Sequence, residues 1–116
     1  MPQETCLFCQ LSSGEIPTDL LYQDDFCVVI RDINPQAPSH LLVIPREHIE
    51  SLDEASHRDE TLLGHLLRIG ARVINQEGHS ETGYRAVINN GAGAGQSVFH
   101  LHVHVLGGRV MSWPPG

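Results

Sequence analysis

Lysine is absent from all 116 residues, and the seven cationic side chains are arginines scattered from Arg31 to Arg109. The formal charge is -7. A nucleic-acid groove needs a clustered basic patch, and none is present, so no nucleic-acid partner is expected. An anionic ligand would have to be held by backbone amides and imidazoles. Apolar runs of membrane-spanning length and a signal-peptide pattern are also missing, which leads us to expect a cytoplasmic protein without a membrane partner. Cysteine is scarce and odd in number: Cys6, Cys9 and Cys27. That count argues against a disulfide framework. Cys6-Leu-Phe-Cys9 is a C-x-x-C pair, compatible with metal, redox chemistry or chance. The redox reading lacks the strand-before, helix-after context of a thioredoxin motif.

The length suits one compact domain, residues 1–116, with a modest core. Residues 6–13 can form a short helix stopped at Gly14, and Ile16-Pro17 forces an extended segment. "LLYQDDFCVVIRD" reads as two strands joined at Gln23-Asp24-Asp25. "HLLVIPRE" is a buried strand ended by Pro45. From Ser56 to Gly78, Leu62, Leu63, Leu66, Leu67, Ile69, Val73 and Ile74 recur at the helical period, with Ser56 as cap and Gly78 as stop. "YRAVINN" is a fourth strand and "SVFHLHVHVLG" a fifth. The expectation is an α+β fold: an antiparallel five-stranded sheet with one main helix and a short N-terminal helix.

The fifth strand carries the chemistry. Side chains alternate between the faces of a strand, so His100, His102 and His104 share one face, about 6.5–7 Å apart. Phe99, Leu101, Val103 and Val105 take the other, ready to pack under the helix. A solvated polar face would be served as well by Thr, Lys or Glu. Three histidines in a straight row do not easily converge on one zinc ion. A third reading is nucleophilic catalysis by one imidazole, with neighbours handling protons and charge. Gly91-Ala92-Gly93-Ala94-Gly95 precedes the strand and could bring backbone N–H groups to a phosphate, although it is not a P-loop.

"HLHVHVL" resembles the His-x-His-x-His-x-x pattern of the histidine-triad (HIT) superfamily. "GEIPTDLLYQDD", "DINPQAPSHLLVIPREHI", "GYRAVINNG", "GQSVFHLHVHVLGGR" and "WPPG" are similar to its Hint branch, the purine nucleoside phosphoramidases. The resemblance covers nearly the whole chain in collinear order. It implies a HIT-like fold and a homodimer with one continuous sheet. It further implies a hydrolase for the P–N bond of purine nucleoside 5'-phosphoramidates such as AMP-amidate, and for aminoacyl or lysyl adenylates. His102 would be the nucleophile, passing through a nucleotidyl-histidine intermediate. His104 would stabilise phosphate charge, Ser97 would assist the leaving nitrogen, and His40 would hydrogen-bond within the triad network. Asn89, Gly95 and Gln96 match phosphate and sugar contacts. Asp32 matches the acid that takes the ribose, and Ile16, Ile30 and Ile33 match apolar positions around the purine. Without the resemblance, Asp32 reads equally as a turn residue and the isoleucines as core. His57, His65 and His79 read as surface or helix-face residues.

Other histidine-triad branches, and the related galactose-1-phosphate uridylyltransferases, use a comparable set for zinc. Carried over, the ligands are Cys6, Cys9, His48 and His100, holding a structural zinc; no organic cofactor is implied. Two competing functions stay open: a nucleotide-binding regulator with incidental catalysis, and dinucleoside polyphosphate hydrolysis or another nucleotidyl transfer. An intact His102 favours the enzyme over the regulator. Ser97 and the "WPPG" tail favour the phosphoramidase over other triad chemistries.

Overall fold

The structure, a computed structural model, describes residues 5–116; residues 1–4, the start of the expected domain, lie outside the described residues. It contains α1 (Leu7–Ser13), β1 (Tyr22–Gln23), β2 (Cys27–Arg31), β3 (Ser39–Pro45), α2 (Glu60–Gln76), β4 (Tyr84–Val87) and β5 (Val103–Gly107). The strands form one sheet in the order β1-β2-β3-β5-β4, antiparallel throughout. The expected α+β architecture, with one main helix and a short N-terminal one, is therefore the observed one. Among the described residues no helix is long and apolar enough to cross a membrane.

Alternation along the strands sorts the side chains onto two faces. Cys27 and Val29 of β2, Leu41 and Val43 of β3, and Val103 and Val105 of β5 pack with Leu66, Ile69, Val73 and Ile74 of α2. Val28, Ile30, Leu42 and Ile44 face the other way and pack with Phe8 of α1. The triad histidines lie on this second side. So α2 covers one face of the sheet, and the other carries α1 and the polar residues.

The main helix starts as expected. Ser56 N–H donates to Asp59 Oδ2 at 2.7 Å, closing a capping box over a 3₁₀ turn, His57–Asp59, that leads into α2. Helical residues end at Gln76, just before Gly78 with φ +92°. Leu67, assigned to the apolar stripe, is instead half exposed. It lies at the flank of the buried arc, outside Leu66, Ile69, Val73 and Ile74.

Two strands are shorter than the hydrophobic pattern suggests. "YRAVINN" pairs only over Tyr84–Val87, because Asn90 leaves the sheet and its Oδ1 accepts the Asp53 N–H at 2.8 Å. The histidine strand pairs only from Val103, opposite Val43. Pro45 has no N–H to extend the ladder, its carbonyl is taken by the His100 imidazole, and Leu101 N–H turns to the Ile49 carbonyl instead. Leu101 still packs under α2, but Phe99, expected on that face, is half exposed.

Gly70 is the seat of α2 on the sheet. A Cβ there would lie 3.0 Å from Val105 Cγ2 and 3.3 Å from Val43 Cγ2. Gly70→Val should therefore lower stability by about 1–3 kcal/mol through overpacking. The urea midpoint would show it, and an unchanged or raised midpoint would mean that the helix rides higher on the sheet than described.

Candidate functional site

The backbone decides where the protons sit on the imidazoles. Gln36 N–H donates to His40 Nδ1 at 3.0 Å, so that nitrogen is an acceptor and His40 carries its proton on Nε2. His40 Nε2 lies 2.9 Å from His104 Nδ1, to which it therefore donates. His104 must then carry its own proton on Nε2. His102 Nδ1 lies 2.7 Å from the His100 carbonyl, which can only accept, so His102 keeps its lone pair on Nε2. His100 Nε2 donates to the Pro45 carbonyl at 2.7 Å, leaving a lone pair on Nδ1.

These tautomers belong to neutral rings. Burial pushes His104 down to about 4, with His102 and His40 adding to the effect. Burial also pushes His100 down to about 4, and lowers His102 and His40 from the ordinary imidazole value. Asp32 opposes the shift at His40, its Oδ2 being 3.4 Å from Nε2. The Gln36 N–H opposes protonation independently, since an imidazolium would set two donors against each other.

His102 and His104 open onto a cleft of about 270 Å³. Arg31, Asp32 and Ser97 complete its polar side. Ile30 and Ile33, with Leu7, Phe8 and Leu11 of α1, make the apolar side. Asp32 serves both readings of the sequence at once: it lines the cleft, and its Oδ1 accepts the Asn34 N–H at 2.9 Å as a turn residue does. Ile30 is buried core, whereas Ile33 is fully exposed on the rim. A larger depression of about 640 Å³ beside Arg68 and Arg72 on the outside of α2 contains none of these groups.

Four expected contact residues do not line the cleft: Ile16, Asn89, Gly95 and Gln96. The amides of Gly95 and Gln96 donate to the carbonyls of Ala92 and Gly91, so the glycine-rich turn satisfies them internally. The Gln96 side chain is buried; its Oε1 accepts from Gly91 N–H and its Nε2 donates to the Glu50 and Val98 carbonyls. This turn holds the chain in place just before Ser97. Sequence reading missed the α1 wall, although Leu7, Phe8 and Leu11 recur at helical spacing. It also treated two further histidines as bland surface groups. His65 Nε2 lies 2.6 Å from Asp24, tying α2 to the β1–β2 turn, and His79 Nε2 lies 2.8 Å from Ser39 Oγ.

Behind the triad, Cys6, Cys9, His48 and His100 converge, their ligand atoms all within 4.8 Å of one another. Cys6 Sγ and His100 Nδ1 are 3.3 Å apart, Cys9 Sγ and His48 Nδ1 3.3 Å, Cys9 Sγ and His100 Nδ1 3.5 Å, and the two Nδ1 atoms 3.2 Å. Tetrahedral zinc with ordinary Zn–S and Zn–N bonds needs edges of about 3.3–3.8 Å. The donor set and its spacing fit zinc, and His100 turns a lone pair toward the thiols.

The HIT domain family matches residues 13–111. An uncharacterized HIT-like protein of Synechococcus elongatus is 50% identical over 113 residues, 97% of this chain and 98% of that protein. A HIT family hydrolase from Legionella pneumophila superposes with a TM-score of 0.94 at 46% identity, over 97% of this chain and all of the other. A histidine triad protein from Clostridium difficile gives 0.93 at 35% identity, over 97% of each chain.

The buried neutral imidazoles make stability depend on pH. The unfolded chain protonates its histidines near the ordinary 6.5, whereas folded His104 resists protonation down to about 4. Between those values the unfolded state holds more protons, so stability is full above pH 6.5 and falls as pH drops toward 4. Urea midpoints should decline through that window, and His104→Gln should decline less steeply than the parent. Equal slopes for the two proteins would contradict the burial of a neutral His104.

Proposed function

Since the chain belongs to the HIT domain family, we propose that it is a nucleotide-binding hydrolase that cleaves the P–N bond of purine nucleoside 5'-phosphoramidates, AMP-amidate being the simplest. The observation that carries this reading is the His102 tautomer, with Nδ1–H tied to the His100 carbonyl and the Nε2 lone pair left for attack. The similar proteins called HIT family hydrolases, from Legionella pneumophila and Clostridium thermocellum, support a hydrolase in general. The Hint-like motifs support the phosphoramidase in particular.

In this mechanism His102 Nε2 attacks the α-phosphorus, and the bond from phosphorus to the leaving nitrogen breaks. Ser97, exposed at the cleft, passes a proton to that nitrogen. His104 donates its Nε2–H to a phosphoryl oxygen, and the His40–Gln36 chain behind it keeps that proton on the cleft side. Water then attacks the nucleotidyl-imidazole and returns a proton to the Ser97 oxygen as the P–N(His102) bond breaks, releasing the nucleoside monophosphate and restoring neutral His102 and Ser97. Splitting one displacement into two is the usual gain of covalent catalysis. Asp32 takes the ribose hydroxyls, and Ile30 and Ile33 flank the purine.

Zinc held by Cys6, Cys9, His48 and His100 would cross-link the N-terminal turn to the histidine segment and leave the chemistry to His102. The working unit is a homodimer. β4 lies at the sheet edge with Tyr84 part-exposed, Leu67 of α2 is half exposed, and Trp113 in the C-terminal tail is 80% exposed.

His102→Ala should lose roughly 10⁴–10⁶ in turnover of AMP-amidate while still binding AMP. Wild-type protein quenched during turnover should carry a nucleotide adduct that is stable to base and labile to acid, as a phosphorus–imidazole bond is. Near-normal turnover in the variant would reject the mechanism. Light scattering at micromolar concentration should give twice the 12.8 kDa chain mass, and a monomer would remove the dimer.

A further inference from the structure

We propose that the thiol–imidazole cluster is a clamp on the cleft: zinc bound at Cys6, Cys9, His48 and His100 tightens nucleotide binding without touching the nucleotide. The inference rests on the nucleotide-cleft reading above and adds a control to that site.

The argument starts with α1. A helix of 7 residues is too short to persist alone in water, so its position depends on what docks it. Two things do. Phe8 inserts among Val28, Ile30, Leu42 and Ile44. Cys6, the residue that caps the helix, and Cys9, one turn on, face His100 and His48. Between and beyond the two cysteines lie Leu7, Phe8 and Leu11, which line the cleft. The same single turn of helix therefore carries two of the four zinc donors on one side and the apolar cleft wall on another.

The cluster also reaches the nucleophile by two short routes. Phe8 lies edge-on to the His102 ring at 4.9 Å with an interplanar angle of 89°, and to the His100 ring at 6.0 Å. His100, a cluster residue, holds His102 Nδ1 through its own carbonyl. Fixing the two sulfurs relative to His100 thus fixes Phe8 relative to His102. Without a cation, four donor groups must share the space through thiol and imidazole contacts of 3.2–3.5 Å, which are weak for sulfur. With zinc the same contacts become bonds to one centre. A wall fixed in advance reduces the ordering cost of the ligand, and linkage makes the effect mutual, so the nucleotide also retains the zinc.

The test uses the full chain, zinc and AMP. AMP affinity is measured by calorimetry on zinc-loaded, chelator-stripped and reloaded protein, with circular dichroism on each. We expect stripping to weaken AMP at least tenfold and reloading to restore it. Saturating AMP should raise zinc affinity, read by competition with a coloured chelator, by the same factor. Phe8→Ala should still bind about one zinc per chain, but its loaded-to-stripped ratio of AMP affinity should fall close to one. Where stripping unfolds the chain, zinc-saturated Cys6→Ser, which keeps three donors, carries the test: AMP three- to tenfold weaker than in the loaded parent is expected. Equal AMP affinity with and without zinc, parity of Cys6→Ser with the parent, or a chain that takes up no zinc overturns the clamp and leaves the hydrolase reading standing. Failure to bind AMP in any state removes the nucleotide cleft and the clamp with it.

Discussion

The hydrogen bond from His100 Nε2 to the Pro45 carbonyl, 2.7 Å long and fully buried, is the contact on which the rest of the site depends. It forms because proline ends the β3–β5 ladder and leaves a carbonyl for a side chain to take. Once Nε2 is committed, the Nδ1 lone pair turns to the thiols. The backbone carbonyl of the same residue holds His102 Nδ1 at 2.7 Å. The end of one strand thus fixes, through this bond, the donor that faces Cys6 and Cys9.

The periodicity of the sequence was enough to place the residues on their faces. Alternation put His100, His102 and His104 together and Leu101, Val103 and Val105 under α2, and the structure keeps that division even where the strand itself has ended. The C-x-x-C, His48 and His100 do converge. What sequence could not reveal was backbone in origin. Gln36 enters the site through its amide, and Pro45 and His100 through their carbonyls. Such groups are common to every residue type and leave no compositional trace. The glycine-rich turn is a case of the same kind: its amides look alike in sequence, but those of Gly91, Ala94, Gly95 and Gln96 are taken by the Gln96 side chain and the turn's own carbonyls. Leu67 and Phe99 were misplaced because a periodic pattern marks an arc or a face without marking where it stops.

The absence of lysine takes on meaning with the arginines in view. Arg31 forms a two-toothed pair with Glu77, Arg58 pairs with Glu47, Arg85 and Arg109 donate to backbone carbonyls, and Arg72 sits over Tyr22. These cations brace the scaffold; Arg31 also borders the cleft, but its guanidinium is held by Glu77. The face of the sheet beneath α2 supplies stability through close packing at Gly70. Under the proposed function the opposite face would hold a phosphate with neutral donors, whose strength would come from their fixed direction and the low dielectric around them.

The chain running from Gln36 N–H through His40 to His104 has a further property. All its donors point the same way, and it begins at a peptide nitrogen, which does not ionise. It is therefore a closed-end relay. A proton displaced from His104 at the cleft cannot be replaced from the far side, because nothing at Gln36 can supply one. In the proposed mechanism every proton taken from or returned to that imidazole must cross the mouth of the cleft. The acid–base traffic of the site is thus confined to one door, and a ligand that fills the mouth seals the proton inventory of the network for as long as it stays.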